Sequence, residues 1–289
     1  MNHISRKAFL KQSFVFASSL AAIPALASSD NKRNKTILLR SSWQVENIGD
    51  IAHTPGVLAL IEKYLPNVDV RLWPMDVEAG VEEMLMTRFP KLKILKTEEA
   101  QQRAIKECDF FLHGSGPSLV GRHEMLRWKK ETGKPYVITF PGNYGFQPHS
   151  DKYDPLDMEL FNGAAFTYFR DSVSFQFAKL KGINCPIIGF CPDGAFAIDV
   201  RNDKAADLFL KEHALEIGKF VCVIPQLRFS PWWELPLKKT TVNQEKHAWN
   251  EKMKEHDNLP IRNAISEVIR QTDLKVIIPC NSNNHIAIR

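Results

Sequence analysis

The 289-residue chain is 44% hydrophobic and 25% charged, a globular balance that excludes collagen-like, coiled-coil and wholly disordered organisation and supplies apolar material for one large domain or two medium ones. Its formal charge is +5, but residues 1–27 hold Arg6, Lys7 and Lys11 and no acid, and without them 35 basic residues face 33 acidic ones. A residual +2 makes no case for nucleic acid as a partner.

In chain order, residues 1–27 read as a signal peptide. A basic segment, Met1 to Lys11, runs into an apolar stretch, Phe14 to Leu26, that is too short for a retained membrane span, and Ala25-Leu26-Ala27 is a small-residue cleavage site. Ser5-Arg6-Lys7-Ala8-Phe9-Leu10-Lys11 is similar to a twin-arginine signal with Lys7 at the second arginine. The expectation is a periplasmic or secreted protein with no stable membrane span after signal removal, with residues 28–35 as linker.

From Lys35 onward, short β-branched and aromatic runs alternate with helix-period segments, which predicts an α/β fold with a parallel sheet and helices on its faces. The strand candidates are Thr36–Leu39, Val68–Trp73, Asp109–His113, Tyr136–Phe140, Ala165–Phe169 and Ile187–Phe190. Helices are predicted at Ile51–Tyr64, Val77–Arg88, Glu98–Lys106, Arg122–Thr132 and Ser172–Lys181, the last two stopped by Gly133 and Gly182. These make a Rossmann-like domain over 36–202. A second, Rossmann-like unit over 203–289 is expected to hold a helix to about Leu215, a strand Phe220–Ile224 and a Pro- and Trp-rich loop to Leu237. After these come a helical region Asn243–Gln271 broken near Pro260 and a strand Lys275–Ile278. The chain stops eleven residues later. Two parallel strands cannot be covered on both faces by so little chain, so the second unit reads as incomplete.

Cys108, Cys185, Cys191, Cys222 and Cys280 form no C-x-x-C pair and read as buried small hydrophobes, with a Cys185–Cys191 bridge left open. No metal-ligand spacing, no nucleotide fingerprint and no G-x-S-x-G elbow is present, so neither a metal nor a cofactor is expected.

Four strand-end loops carry the candidate chemistry, because ligands of open α/β sheets bind beyond the carboxyl ends of the strands. In the first, Ser41 to Asp50, Gly49 allows close approach and Asp50 would cap the helix from Ile51; Asn47, Gly49 and Asp50 form either an anion site or only a turn and cap. In the second, Gly114-Ser115-Gly116 would bring a ligand close to the backbone. The third, Pro141 to His149, is polar and aromatic. In the fourth, Arg170 is suited to a bidentate grip on carboxylate or phosphate, while Asp171 and Ser174 either cap the helix or join the site. His53, His113 and His149 lie at these loops and are the candidate acids or bases.

Taken in order, Asn47-Ile48-Gly49-Asp50, Gly114-Ser115-Gly116, Arg170-Asp171-Ser172-Val173-Ser174 and Pro192-Asp193-Gly194-Ala195-Phe196 resemble the polysaccharide pyruvyl transferase family. The resemblance spans residues 36–200 and continues weakly through Val221–Trp233. It implies two domains like those of a B-type glycosyltransferase, and transfer of a pyruvyl group from phosphoenolpyruvate onto two hydroxyls of a polysaccharide acceptor as a ketal. It further implies Arg170 as the donor-binding arginine, a histidine, His53 or His113, as acid, and Asn47, Gly49, Asp50, Gly114, Ser115, Gly116 and Ser174 around the substrate. The family's later arginine and histidine have no counterpart after Ile278; His285 and Arg289 lie on a polar tail. Two competing readings stand beside it: a nucleotide-sugar glycosyltransferase of the same fold, and a non-catalytic carbohydrate-binding remnant that would use Trp232 and Trp233 for stacking, where the alternative for those rings is core packing.

Overall fold

The computed structural model describes residues 34–114, 116, 119–139, 154–225, 227–234, 240–279 and 286–288. The expected signal peptide, the linker up to residue 33, Ser115, the loop Pro141 to His149, Cys280, His285 and Arg289 lie outside the described residues. The chain divides into two compact units between Val200 and Arg201.

In the first unit, strands β1 (Lys35–Ser41), β2 (Val68–Pro74), β3 (Lys93–Ile94), β4 (Phe110–His113), β5 (Tyr136–Thr139), β6 (Thr167–Phe169) and β7 (Ile188–Phe190) form one parallel sheet in the order β3-β2-β1-β4-β5-β6-β7. This is the doubly wound, Rossmann-like α/β order, and the direction of winding reverses between β1 and β4. The central strands are apolar at nearly every position, because both faces of a parallel sheet are covered. Side chains alternate across the sheet. Ile37, Leu39, Phe110, Leu112 and Val137 therefore face α1 (Ile48–Tyr64) and α2 (Val81–Arg88), through Val57, Leu58, Ile61 and Leu85. Leu38, Phe111 and Ile138 face α3 (Glu98–Glu107), α4 (Arg122–Thr132), α5 (Pro155–Gly163) and α6 (Ser172–Leu180), through Ile105, Trp128, Phe161 and Ala178.

Several boundaries differ from expectation. α1 starts at Ile48, because Asn47 rather than Asp50 caps it: the Asn47 side chain accepts from the Gly49 amide at 2.9 Å. α2 starts at Val81, since Ala79 and Gly80 take positive φ and turn the chain just before it. β3 and α5 are additional elements, the latter begun by Asp154 and Pro155. Past β7 the chain forms a short 3₁₀ turn, Gly194–Ala197, packed on α1 so closely that a Cβ on Gly56 would lie 2.0 Å from the Gly194 carbonyl oxygen.

The second unit contains α7 (Asp203–Glu212), β8 (Phe220–Cys222), α8 (Gln244–Gln271), β9 (Lys275–Pro279) and β10 (Ile286–Ile288). β8 and β9 are parallel, and β10 adds antiparallel to the far side of β9, so β9 is central and the tail is not simply a polar terminus. α8 runs unbroken through Pro260 for 28 residues. Pro260 withholds one amide, and the Asn258 and Arg262 side chains donate to the Lys254 and Glu255 carbonyls on the same stretch. Cys108, Cys185 and Cys191 are buried, Cys222 is exposed, and all four are free thiols, so no Cys185–Cys191 bridge is formed. Among the described residues no helix is long and apolar enough to cross a membrane.

Candidate functional site

The carboxyl ends of β6 and β7 and the first turns of α1 meet around one carboxylate. Asp193, three residues beyond β7, opens the 3₁₀ turn by accepting from the Ala195 amide at 2.9 Å. The packing of Gly56 on Gly194 brings this turn onto α1. There Asp193 Oδ1 lies 2.8 Å from Nδ1 of the buried His53. Its second oxygen accepts from Arg170 Nη1 at 2.7 Å, Arg170 being the residue that follows β6. On the other side of the imidazole, His53 Nε2 lies 3.6 Å from Asp50 Oδ1, one turn earlier on α1. Gln44 holds the other Asp50 oxygen by a hydrogen bond and accepts from the Asn47 amide at 3.1 Å.

Burial alone would push the His53 pKa down, but its contacts with Asp193 and Asp50 outweigh burial and raise it above the ordinary histidine value. For Asp193, burial acts upward, yet His53, the Ala195 amide and Arg170 together hold it well below the usual carboxylate range. Asp50 is lowered first by its contact with His53. An ionised carboxylate only accepts, so the proton between His53 and Asp193 sits on Nδ1. Arg170 spends one donor on Asp193 and makes no other side-chain hydrogen bond among the described residues. A guanidinium has five donors in a fixed fork, so a small anion can still be held there.

The other expected site residues are used differently. His113 ends β4 on the opposite face of the sheet from α1, following Phe111 in the strand's alternation. It is fully buried, its ring 5.3 Å from that of Trp43, and burial pushes its pKa down to about 4. A neutral imidazole sealed from solvent on the far face is not a partner for His53. Gly114 and Gly116 make room for the protein itself: a Cβ on Gly114 would meet Ser41 Oγ at 2.7 Å, and one on Gly116 would meet Trp43 Nε1 at 2.8 Å. On that side of each glycine the room is taken by these two side chains. Ser174 is buried, and its amide and hydroxyl both donate to Asp171, the N-cap of α6, at 2.6 and 2.7 Å. Asn47 and Gly49 are exposed in the cap and first turn of α1. The structure thus joins Asp50, His53 and Arg170 and leaves His113, Gly114, Gly116 and Ser174 in packing and capping. Asp193, which sequence reasoning placed in a motif without a role, is the residue that joins them; Gln44 went unassigned. Among the described residues no group of His, Cys, Asp and Glu is arranged to hold a metal ion.

A seven-stranded parallel sheet with a charged cluster at its strand ends defines an α/β protein of the doubly wound kind with a candidate ligand site. The family model for polysaccharide pyruvyl transferase matches residues 47–264, and the chain belongs to that family. No curated protein matches it. Among solved structures it is similar to UDP-N-acetylglucosamine 2-epimerase from Rickettsia bellii, at 9% identity and TM-score 0.42, covering 86% of this chain and 62% of that one. It is also similar to a family 9 glycosyl transferase from Veillonella parvula DSM 2008, at 13% identity and TM-score 0.34, covering 89% and 73%. A third is the E. coli heptosyltransferase WaaC with ADP, at 11% identity and TM-score 0.21, covering 62% and 98%. The chain therefore spans about three fifths of the length of the epimerase.

Proposed function

We propose that this protein binds phosphoenolpyruvate, or a small anion like it, at Arg170, and transfers its pyruvyl group to two hydroxyls of a polysaccharide in the cell envelope. The observation that carries the reading is the joining of the Arg170 guanidinium and the His53 imidazole through the single carboxylate of Asp193. A fixed cation suits the donor's carboxylate and phosphate, and a protonated imidazole beside it suits the proton transfer that the chemistry requires. In such a transfer His53 gives a proton to the donor's methylene carbon while a first sugar oxygen bonds to the adjacent carbon and returns its own proton to His53. A second sugar oxygen then replaces phosphate, which leaves with that hydroxyl's proton.

Calorimetric titration with phosphoenolpyruvate is the test. Binding should be lost in Arg170→Ala; a titration unchanged by that substitution overturns the assignment. A thermal-shift screen of phosphoenolpyruvate, sugar nucleotides and neutral oligosaccharides separates the proposal from its competitors. Stabilisation by sugar nucleotides alone would favour a glycosyltransferase, and by oligosaccharides alone a binding role.

A further inference from the structure

Two cations and two carboxylates form the cluster, and its balance rests on one proton. With His53 protonated, Arg170 and His53 match Asp50 and Asp193; without that proton the cluster carries a net negative charge toward any arriving anion. The charged groups facing the imidazole are Asp50 from α1, Asp193 from the turn after β7 and Arg170 from the end of β6. The nearby Cys191 thiol stays neutral, pushed up to about 12 by burial.

Asp193 is the only one of these groups that touches both cations, with one oxygen on each at 2.8 and 2.7 Å. We propose that Asp193 is a positioning residue that fixes a proton on His53 and links it to the grip of Arg170, so that an anion enters the site only together with that proton. The proposal rests on reading Arg170 as the anion grip. Its physical content is a shared counter-ion. An anion arriving at Arg170 competes with Asp193 for the guanidinium, and the carboxylate, less neutralised from that side, holds the His53 proton more tightly. Because the donation to Asp193 comes from Nδ1, the other imidazole proton is on Nε2, on the side of Asp50, whose Oδ1 lies 3.6 Å away.

A purely structural Asp193 would serve only as the cap of the 3₁₀ turn through its bond from the Ala195 amide. Asparagine caps nearly as well as aspartate but carries no charge, so Asp193→Asn separates the two roles. The imidazole titration of the full chain, followed by NMR with the His53 signal assigned from His53→Gln, should have its midpoint above about 6.5 in the parent protein. In Asp193→Asn it should fall by about one pH unit or more, and an unchanged midpoint overturns the proposal. Should that variant not fold, Arg170→Gln gives the reading in the opposite sense, because removing the neighbouring cation raises the His53 midpoint; no movement there overturns it equally. In calorimetry with buffers of different ionisation heat, phosphoenolpyruvate binding above the midpoint should be accompanied by proton uptake. Binding without uptake overturns the coupling. Absence of any binding removes the anion reading on which the coupling rests, while the NMR arm still judges the hold of Asp193 on His53.

Discussion

His113 and His53 show how the same side chain is given opposite proton affinities by its surroundings. His53 sits between two carboxylates, whereas His113 is sealed beside Trp43 with Arg40 adding a smaller downward push. For His113 the folded value, about 4, lies below the unfolded value. The unfolded chain therefore binds the extra proton between the two, and stability falls as pH drops from about 6.5 toward 4. The full loss corresponds to roughly 3 kcal/mol. His53 has the other sign: its raised value stabilises the fold below the unfolded midpoint, and that contribution fades as pH rises through the folded one. His113→Phe, which keeps a ring against Trp43, should flatten the acid limb of the denaturant midpoint plotted against pH; an unaltered limb would show that His113 is not its source. The sequence made Arg170 and the Asp171–Ser174 cap readable, because each depends on neighbours within a few positions. The His53–Asp193 contact joins residues 140 positions apart, and no local pattern announces it. The packing around Gly114 and Gly116 is illegible for the same reason: the side chains against them, Ser41 and Trp43, belong to the distant end of β1 and the loop after it.

At the scale of elements, strand identity was legible where both faces are apolar, as in Phe110-Phe111-Leu112, and illegible in β3, whose two residues are too few to show a period. α5 is hard to read from the sequence because its apolar residues Leu156, Met158 and Leu160 fall two apart rather than three or four, and its start depends on the Asp154 cap and Pro155. One fastening between elements runs through Arg40, a charged residue buried at the end of β1. Its guanidinium donates to Glu124 in the first turn of α4 at 2.8 and 3.0 Å and to the Trp73 carbonyl of β2 at 3.1 Å, and it lies 5.1 Å from the Trp43 ring centre. Burial presses its pKa downward, and only Glu124 opposes this. A buried cation deprived of its partner is costly, so Glu124→Ala should destabilise the protein by about 3 kcal/mol, with Glu124→Gln, which retains an acceptor oxygen, losing less. Chemical denaturation of the two variants measures this. Equal, small losses would mean that solvent reaches Arg40 and that the pair contributes little.

Across the whole molecule, burial is distributed unevenly between the two units. Six of the seven residues of β1 and all four of β4 and of β5 are buried. By contrast α7 has no buried residue, and of the 28 residues of α8 only Asn250 is buried, through its bonds to the Phe229 backbone. Leu208 and Trp249 on these helices are exposed, as is Ile269. A helix whose apolar side chains remain in water gains little from packing, and 10 residues, as in α7, are too few to be stable alone. Opening free energy follows local burial, so native-state hydrogen exchange on the full chain should resolve two levels. The amides of β1, β4 and β5 should exchange only through global unfolding and respond steeply to added denaturant. Those of α7 and α8 should exchange through smaller openings with shallow denaturant dependence. Common protection across β1, β4, α7 and α8 would instead require one cooperative unit, in which the exposed faces of α7 and α8 contribute nothing to the order of unfolding.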